Sequence, residues 1–306
     1  MVAALEGPSG DHQDPMTTRV LVTGADGQLG RPLVLTLAQD PQMVVLGTDR
    51  HRLDITQPAS IAAVMDEFGP DVVVNCAAWT AVDDAEAHEA EATAINGAAV
   101  GDLARACAAT GAWLVQLSTD YVFDGRARAP YAEDAQPNPV SAYGRSKLAG
   151  EIACQGELPD HHYIVRTAWL YGMHGQNFVR TILRAIAQRG SVDVVDDQLG
   201  QPTYAPDLAR QIQSLIRRRP AAGIFHGTNS GMTTWFGFTQ AIVEAAGIPA
   251  TVVRPTNTAS FPRPAIRPAY SVLGHGRWAD VGIPQMRDWR AALAGAADDG
   301  VLNAHR

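Results

Sequence analysis

Arg19-Val20-Leu21-Val22-Thr23-Gly24-Ala25-Asp26-Gly27-Gln28-Leu29-Gly30 is the stretch that decides the fold. A short apolar strand runs into three glycines spaced three apart, and a helix-like run follows from Leu33. Glycines in such a turn let the backbone fold tightly and approach a pyrophosphate, which then rests at the helix N-terminus. The spacing differs from the commoner G-x-G-x-x-G. Its position between a strand and a helix gives it meaning.

Working outward, strands are expected at 43–49, 71–75, 113–117 and 162–167. Helices are expected around 60–68 and across the Ala-rich 80–110. Alternation of this kind predicts an α/β fold, a Rossmann-type doubly wound parallel sheet. Beyond residue 170 the pattern loosens. Helices are expected at 177–189, 206–219 and 234–247, with an edge strand at 191–195 and another strand at 224–226. Residues 196–203 read as a loop, and 253–268 as a Pro-rich irregular segment. The expected organisation is a dinucleotide-binding domain over 18–170 and, mainly, a substrate lobe over 171–306 interleaved with the main sheet. Residues 1–17, polar and aperiodic, read as a disordered leader, with Met16 as an alternative start.

Composition narrows the classes. A hydrophobic fraction of 46% and a charged fraction of 18% fit an ordinary globular protein. The net charge of −8 argues against general nucleic-acid binding. No apolar run approaches the ~18 residues of a membrane span. Cys76, Cys107 and Cys154, widely spaced and odd in number, suggest reduced thiols in the cytoplasm, with neither a disulfide frame nor a zinc site.

The chemistry centres on 118–147. Thr119 ends the run Trp113-Leu114-Val115-Gln116-Leu117-Ser118, at the carboxyl end of a strand, where open α/β sheets bind ligands. Tyr143 and Lys147 stand four apart, on one face of a helix. A phenol titrates near pH 10, and an adjacent ammonium favours the phenolate. Such a pair can pass a proton to or from a carbonyl or carbinol oxygen. Lys147 is the only lysine in the chain; every other cationic side chain of fixed charge is arginine. A compact point charge is thus kept here in place of the planar fork used elsewhere.

Other residues carry open alternatives. Asp49, about 20 residues past the glycines, suits the adenosine ribose, whereas Arg50 and Arg52 suit a 2′-phosphate. Asp54 and Ile55 either bracket an adenine or begin a turn. Cys76, Ala77 and Ala78 leave room for a ligand at a strand end. Asn96 is either a relay or a structural polar group. Trp169 either covers a ring or packs in the core. Arg267 either meets a diphosphate or faces solvent.

The glycine turn with Tyr143 and Lys147 resembles the extended short-chain dehydrogenase/reductase superfamily. Longer strings resemble one family within it: Asn75-Cys76-Ala77-Ala78-Trp79-Thr80-Ala81-Val82-Asp83, Ser118-Thr119-Asp120-Tyr121-Val122-Phe123-Asp124-Gly125, Asp197-Gln198-Leu199-Gly200-Gln201-Pro202-Thr203 and Thr233-Thr234-Trp235. Asn138-Pro139-Val140-Ser141-Ala142-Tyr143-Gly144-Arg145-Ser146-Lys147-Leu148-Ala149-Gly150-Glu151 and Arg166-Thr167-Ala168-Trp169 complete the set. Together, over about residues 19–290, they are similar to the dTDP-4-dehydrorhamnose reductases. The resemblance implies hydride delivery from NADPH or NADH to C4 of a dTDP-4-keto-6-deoxy-L-sugar. It implies that Tyr143 protonates the carbonyl oxygen, that Lys147 holds the nicotinamide ribose and lowers the Tyr143 pKa, and that Thr119 hydrogen-bonds the reacting oxygen. Asp120 and Trp169 would contact the substrate, with Arg267 a further candidate. Gly24, Gly27, Gln28, Leu29 and Gly30 would form the pyrophosphate turn. Asp49, Asp54 and Ile55 would take the adenosine, and Cys76, Ala77, Ala78 and Leu117 the cofactor channel.

One departure stands out. Enteric-type members carry glutamates that bind magnesium at a dimer interface, and the matching positions here are Pro32 and Pro206. Proline offers no side-chain oxygen to a hard cation. No metal is therefore expected, and the chain is expected to act as a monomer or homodimer. Two rivals stay open: a non-catalytic dinucleotide-binding subunit like that of methionine adenosyltransferase, and an epimerase or dehydratase on the same fold. The intact Thr119, Tyr143 and Lys147 argue against the first. Against a dehydratase, Thr119 is followed by Asp120-Tyr121, without the Asp-Glu pair it would use.

Overall fold

The structure is a computed structural model that describes residues 17–303. The expected leader, apart from Thr17, and the alternative start at Met16 lie outside the described residues.

The first half alternates as β1 (Thr18–Thr23), α1 (Gly30–Ala38), β2 (Met43–Thr48), α2 (Pro58–Phe68), β3 (Val72–Asn75), α3 (Glu89–Thr93), α4 (Ala99–Thr110), β4 (Trp113–Thr119), α5 (Ala142–Glu157) and β5 (His162–Thr167). The second half adds β6 (Leu170–Tyr171), α6 (Phe178–Arg189), β7 (Val192–Val195), β8 (Leu199–Gly200), β9 (Thr203–Tyr204), α7 (Ala205–Arg218), β10 (Gly223–His226), β11 (Thr233–Thr234), α8 (Trp235–Ala245), β12 (Val253–Thr256), α9 (Gly276–Asp280) and α10 (Trp289–Asp298).

Six strands form one sheet in the order β10-β5-β4-β3-β1-β2. Every pairing in it is parallel. This is the expected doubly wound sheet. Its strands are apolar on both faces because both are covered. Val20 and Val22 of β1 pack with Leu33 and Leu37 of α1 and Leu208 and Ile212 of α7. Leu21 between them faces the opposite layer with Ile61 of α2 and Leu103 of α4. The order reverses between β1 and β3, and at such a switch point a crevice opens beyond the strands' carboxyl ends.

Late elements return to this sheet: β10 pairs with β5, and α7 packs beside α1. Trp278 of α9 also packs on Phe225 of β10, and the other late elements form a separate layer. Three two-stranded pairs, β6 with β9, β8 with β11 and β7 with β12, lie among α6, α8 and α10. Tyr171, Tyr204, Phe238 and Trp289 form part of its core.

Several boundaries differ from expectation. Helix α1 starts at Gly30, before Leu33, because Pro32 falls in the first turn, where no intrahelical donor is missed. The expected helix over 80–110 is broken. It holds a 3₁₀ turn at Asp84–Glu86, α3, a π-helical turn at Ala94–Ala98 and then α4. Within the π turn, Asn96 accepts from the Trp79 N–H and donates to the Trp79 carbonyl and Ser146 Oγ. Asn96 is therefore a structural clamp between two segments. The loop 196–203 contains β8 and the start of β9, and the irregular segment 253–268 opens with β12.

Candidate active site

A cleft of about 780 Å³ lies along the carboxyl ends of β1, β3, β4 and β5. It runs from the glycine turn, past Cys76, Ala77 and Ala78, to Thr119, Tyr143 and Lys147, and ends against Trp169 and Gln176. That volume is within the range of ligand sites. Of the cofactor, substrate and catalytic candidates read from the sequence, Gly30, Arg52, Asn96 and Arg267 are missing from its lining.

At the glycine end the wall is backbone. Gly24 has φ +60, and a Cβ there would lie 2.8 Å from the Ala77 N. A Cβ on Gly30 would collide with the Gly24 carbonyl. Glycine is thus imposed by the turn itself. Leu29, the N-cap of α1, makes no side-chain capping bond; the Arg31 N–H is taken by the Gly27 carbonyl and Pro32 has none, so the Gly30 N–H is the first-turn donor left without a partner at the helix end. An unfilled donor on a helix dipole suits an anion, and the pyrophosphate of a dinucleotide fits this cradle.

At the adenosine end, the Asp49 carboxylate accepts from the Arg52 N–H at 2.9 Å, holding the turn after β2. Asp54 accepts from both the backbone N–H and the hydroxyl of Thr56, which hold its carboxyl below the usual range. Arg52 turns away to Glu67 of α2, whereas Arg50 lines the cleft. Of the two arginines, Arg50 alone lines the cleft, 3.4 Å from the Asp54 carboxylate.

The reaction end is built from buried polar side chains. Ser141 caps α5 by accepting from the Gly144 N–H at 3.1 Å. Gly144 sits so close to the Tyr121 carbonyl that a Cβ could not fit, which presses the first turn of α5 onto the end of β4. Tyr143 meets the Tyr121 ring edge-on at 5.6 Å and enters the cleft beside Thr119. Thr119 Oγ1 donates to Asp120 Oδ1 at 3.0 Å and accepts from the Tyr121 N–H. Asp120 is buried, and its Oδ2 has no partner. Burial pushes its carboxyl up to about 6, against lowering hydrogen bonds that include those of Ser271 and Thr119.

Lys147 corrects the expected pairing. Its Nζ donates to the Leu117 carbonyl at 2.7 Å. The Tyr143 phenol is pushed up to about 12 by burial, with a smaller opposing pull from Thr119. The ammonium is bonded to β4 and does not contribute to that shift. Burial also lowers Lys147 to about 8, against the fields of Glu151 and Cys76.

Trp169 has the left-handed φ of 45, uncommon for a bulky residue. It stacks on Trp235 at 3.6 Å and 12°, and Gly200 leaves it room, since a Cβ there would lie 2.6 Å from the indole. Arg267 sits behind Tyr121, bonded to Asp83 at 2.9 Å, neither free in solvent nor in the cleft wall. Sequence reasoning missed Thr80, Ile95, Tyr121, Thr167, Gly175 and Gln176 in the lining. The register pairing of Thr167 with Thr119 across β4 and β5 places it there, and such pairing is not readable from one strand alone. Among the described residues no group of three or more His, Cys, Asp or Glu could hold a metal ion.

A doubly wound parallel sheet with a glycine turn at one end of its edge cleft and a Tyr–Lys pair at the other defines a dinucleotide-dependent oxidoreductase. A family model described as "RmlD substrate binding domain" matches residues 18–301, and the chain belongs to that family. It is 49% identical, over 92% of its length and 97% of the relative's, to dTDP-4-keto-6-deoxy-D-glucose reductase of Streptomyces niveus. It is 48% identical to dTDP-4-dehydrorhamnose reductase of Streptomyces griseus, over 90% of this chain and 91% of the other. The crystal structure of dTDP-4-dehydrorhamnose reductase from Bacillus anthracis in complex with NADP superposes with a TM-score of 0.89. It shares 38% identity and covers 93% of this chain and 100% of that one.

Proposed function

We infer that this protein reduces the C4 keto group of dTDP-4-dehydro-6-deoxy-L-mannose (dTDP-4-dehydro-β-L-rhamnose) to dTDP-L-rhamnose, with NADPH or NADH as reductant. The observation that carries the reading is the convergence of Thr119, Tyr143 and Lys147 in one cleft with the glycine turn. The reduced nicotinamide supplies the hydride. The chain supplies the rest. The α1 N-terminus and glycine turn take the pyrophosphate. Asp49, Asp54 and Ile55 take the adenosine end, and Arg50 a 2′-phosphate when present. Cys76, Ala77, Ala78 and Leu117 line the channel between.

At the reaction end Thr119 donates a hydrogen bond to the substrate carbonyl oxygen in place of its present bond to Asp120. Tyr143 gives that oxygen the proton as it gains charge. A phenol held high by burial stays protonated at neutral pH and is ready to donate. Lys147 holds the nicotinamide ribose and, once that contact replaces Leu117, stabilises the phenolate left behind. Asp120 and Trp169 position the sugar, with Gly175 and Gln176, just ahead of α6, lining the far end of the cleft. Arg267 steadies Tyr121 at the cleft mouth. We place the reaction in the cytoplasm, in a monomer or homodimer that works without a bridging metal. Pro32 and Pro206 stand in the first turns of α1 and α7 and offer no ligand oxygen. Chelation with EDTA is therefore expected to leave the rate unchanged.

A second reading shares the site. The Streptomyces niveus relative is named for a D-glucose-derived keto sugar, so this chain would reduce dTDP-4-keto-6-deoxy-D-glucose instead. NADPH oxidation with each keto sugar, with NMR of the product, separates the two. Faster turnover of the L-configured substrate supports the first. Turnover of the D-sugar alone moves the assignment to the second, and turnover of neither leaves a binding subunit.

A further inference from the structure

One turn beyond Lys147 on α5 lies a buried ion pair that the reaction above leaves unused. Glu151 accepts from Arg166 Nε at 2.9 Å and from Nη2 at 2.7 Å, with both side chains at most 2% exposed. Its Oε1 also accepts from Ser118 Oγ at 2.5 Å. Arg166 lies over the Phe123 ring at 5.0 Å. In the sheet Ser118 and Arg166 are register partners on β4 and β5. Helix α5 is thus docked on consecutive residues of β4, by Lys147 at Leu117 and by Glu151 at Ser118, immediately before Thr119.

An ion pair this deep gives little net stability, since both groups are desolvated. Its placement matters more. We propose that Glu151 is a positioning residue for Lys147: its carboxylate, pinned by Ser118 and Arg166, keeps the neighbouring ammonium charged and holds α5 in register with the reacting end of β4. A buried lysine tends to lose its proton, and a carboxylate one turn away on the same helix face opposes that loss. The Glu151 charge opposes the effect of burial on Lys147 more than that of Cys76 does.

The other groups around this helix do not substitute for it. Tyr143 on α5 and Cys76 after β3 are held protonated by burial, as is Cys154 beside Glu151. Asp120 at the end of β4 is bonded to Thr119. The π turn offers only neutral Asn96. Charges on the remaining neighbours are engaged at the surface: Glu89 of α3 with Arg145, and Asp102 and Arg105 of α4 with each other and with Glu157. Glu86 caps the Ala142 N–H, Asp84 pairs with His88, and Glu91 faces solvent.

Because Lys147 is the only lysine, its amine can be titrated directly. Protein carrying ¹³Cε-labelled lysine gives one side-chain signal, followed by NMR against pH in the wild type and in Glu151→Gln. The amide keeps the shape and a hydrogen-bonding oxygen but not the charge. The expected result is a fall of the Lys147 titration by about one pH unit or more, with the alkaline limb of kcat moving down with it. Glu151→Asp, which keeps the charge, should restore the limb even where kcat stays low. A purely structural clamp would lower the melting temperature and leave the titration in place, and that result overturns the proposal. Should Glu151→Gln not fold, the double variant Glu151→Gln with Arg166→Met removes the guanidinium that the single variant would strand, and Lys147 must still titrate lower in it. The functional part rests on the reductase reading. The NMR titration needs no substrate and NADPH oxidation needs no titration, so failure of one is distinguishable from failure of the other.

Discussion

The two ends of the cleft are made of different material. At the glycine end the ligand faces backbone: the start of α1 and a turn whose own carbonyl forbids a side chain at Gly30. At the reaction end it faces buried side chains, Thr119, Asp120 and Lys147, and burial moves the protonation of the last two. The first wall is set by sterics and should be indifferent to pH. The second is set by electrostatics and should answer to pH and to single charges. A chain can thus fix where its cofactor lies cheaply, while the chemistry depends on ionisable groups held away from water at a cost in stability.

The largest expected effect breaks the first wall. Gly30→Ala places a methyl against the Gly24 carbonyl, backbone against backbone, and nothing nearby can yield. We expect a loss of at least about 3 kcal/mol in unfolding free energy and no measurable NADPH binding, by thermal unfolding and calorimetry. Loss of both should be the same at pH 6 and pH 8.

The next effect sharpens the second wall. The Asp120 carboxyl is raised to about 6 from an ordinary 3.8. Between those values the folded protein holds a proton that the unfolded chain has lost, so stability falls as pH rises through this window. Above it the ionised carboxylate, with Oδ2 unpartnered, costs about 3 kcal/mol. Asp120→Asn should therefore unfold at higher temperature than the wild type above pH 6, with the gap closing near pH 4, while turnover declines. Equal gaps at both pH values would contradict the burial argument.

A smaller effect lies at the far edge of the cleft. Trp235→Ala removes the ring under Trp169, whose strained backbone then loses a support. A stack of this kind contributes about 1 kcal/mol. The KM for the keto sugar should rise about three- to tenfold, with the KM for NADPH unchanged and Trp235→Phe in between. Steady-state kinetics with each substrate varied will show it.

The same contrast explains what could be read from the chain alone. The glycine turn was legible because each glycine is demanded by local backbone geometry. Tyr143 and Lys147 were legible because helical spacing fixes which side chains share a face. The direction of the Lys147 ammonium was not, since its bond to Leu117 depends on how α5 docks on β4. Asn96 was visible only as a polar residue in a helix, and its clamp on Trp79 requires a π turn that no propensity marks. Strands of two residues, such as β8 and β9, carry too few positions to show a period, so 196–203 read as a loop. Gly175 and Gln176 enter the cleft through the fold of the later layer, a consequence of tertiary packing.

The central claim is that Tyr143 gives the proton to the keto oxygen. It is tested most directly by Tyr143→Phe, with turnover followed by NADPH oxidation and binding of NADPH and the keto sugar followed by calorimetry on the same preparation. Loss of a positioned acid predicts turnover lower by about 10²- to 10⁴-fold with both dissociation constants within a few-fold of the wild type. Near-normal turnover in that variant would contradict the account.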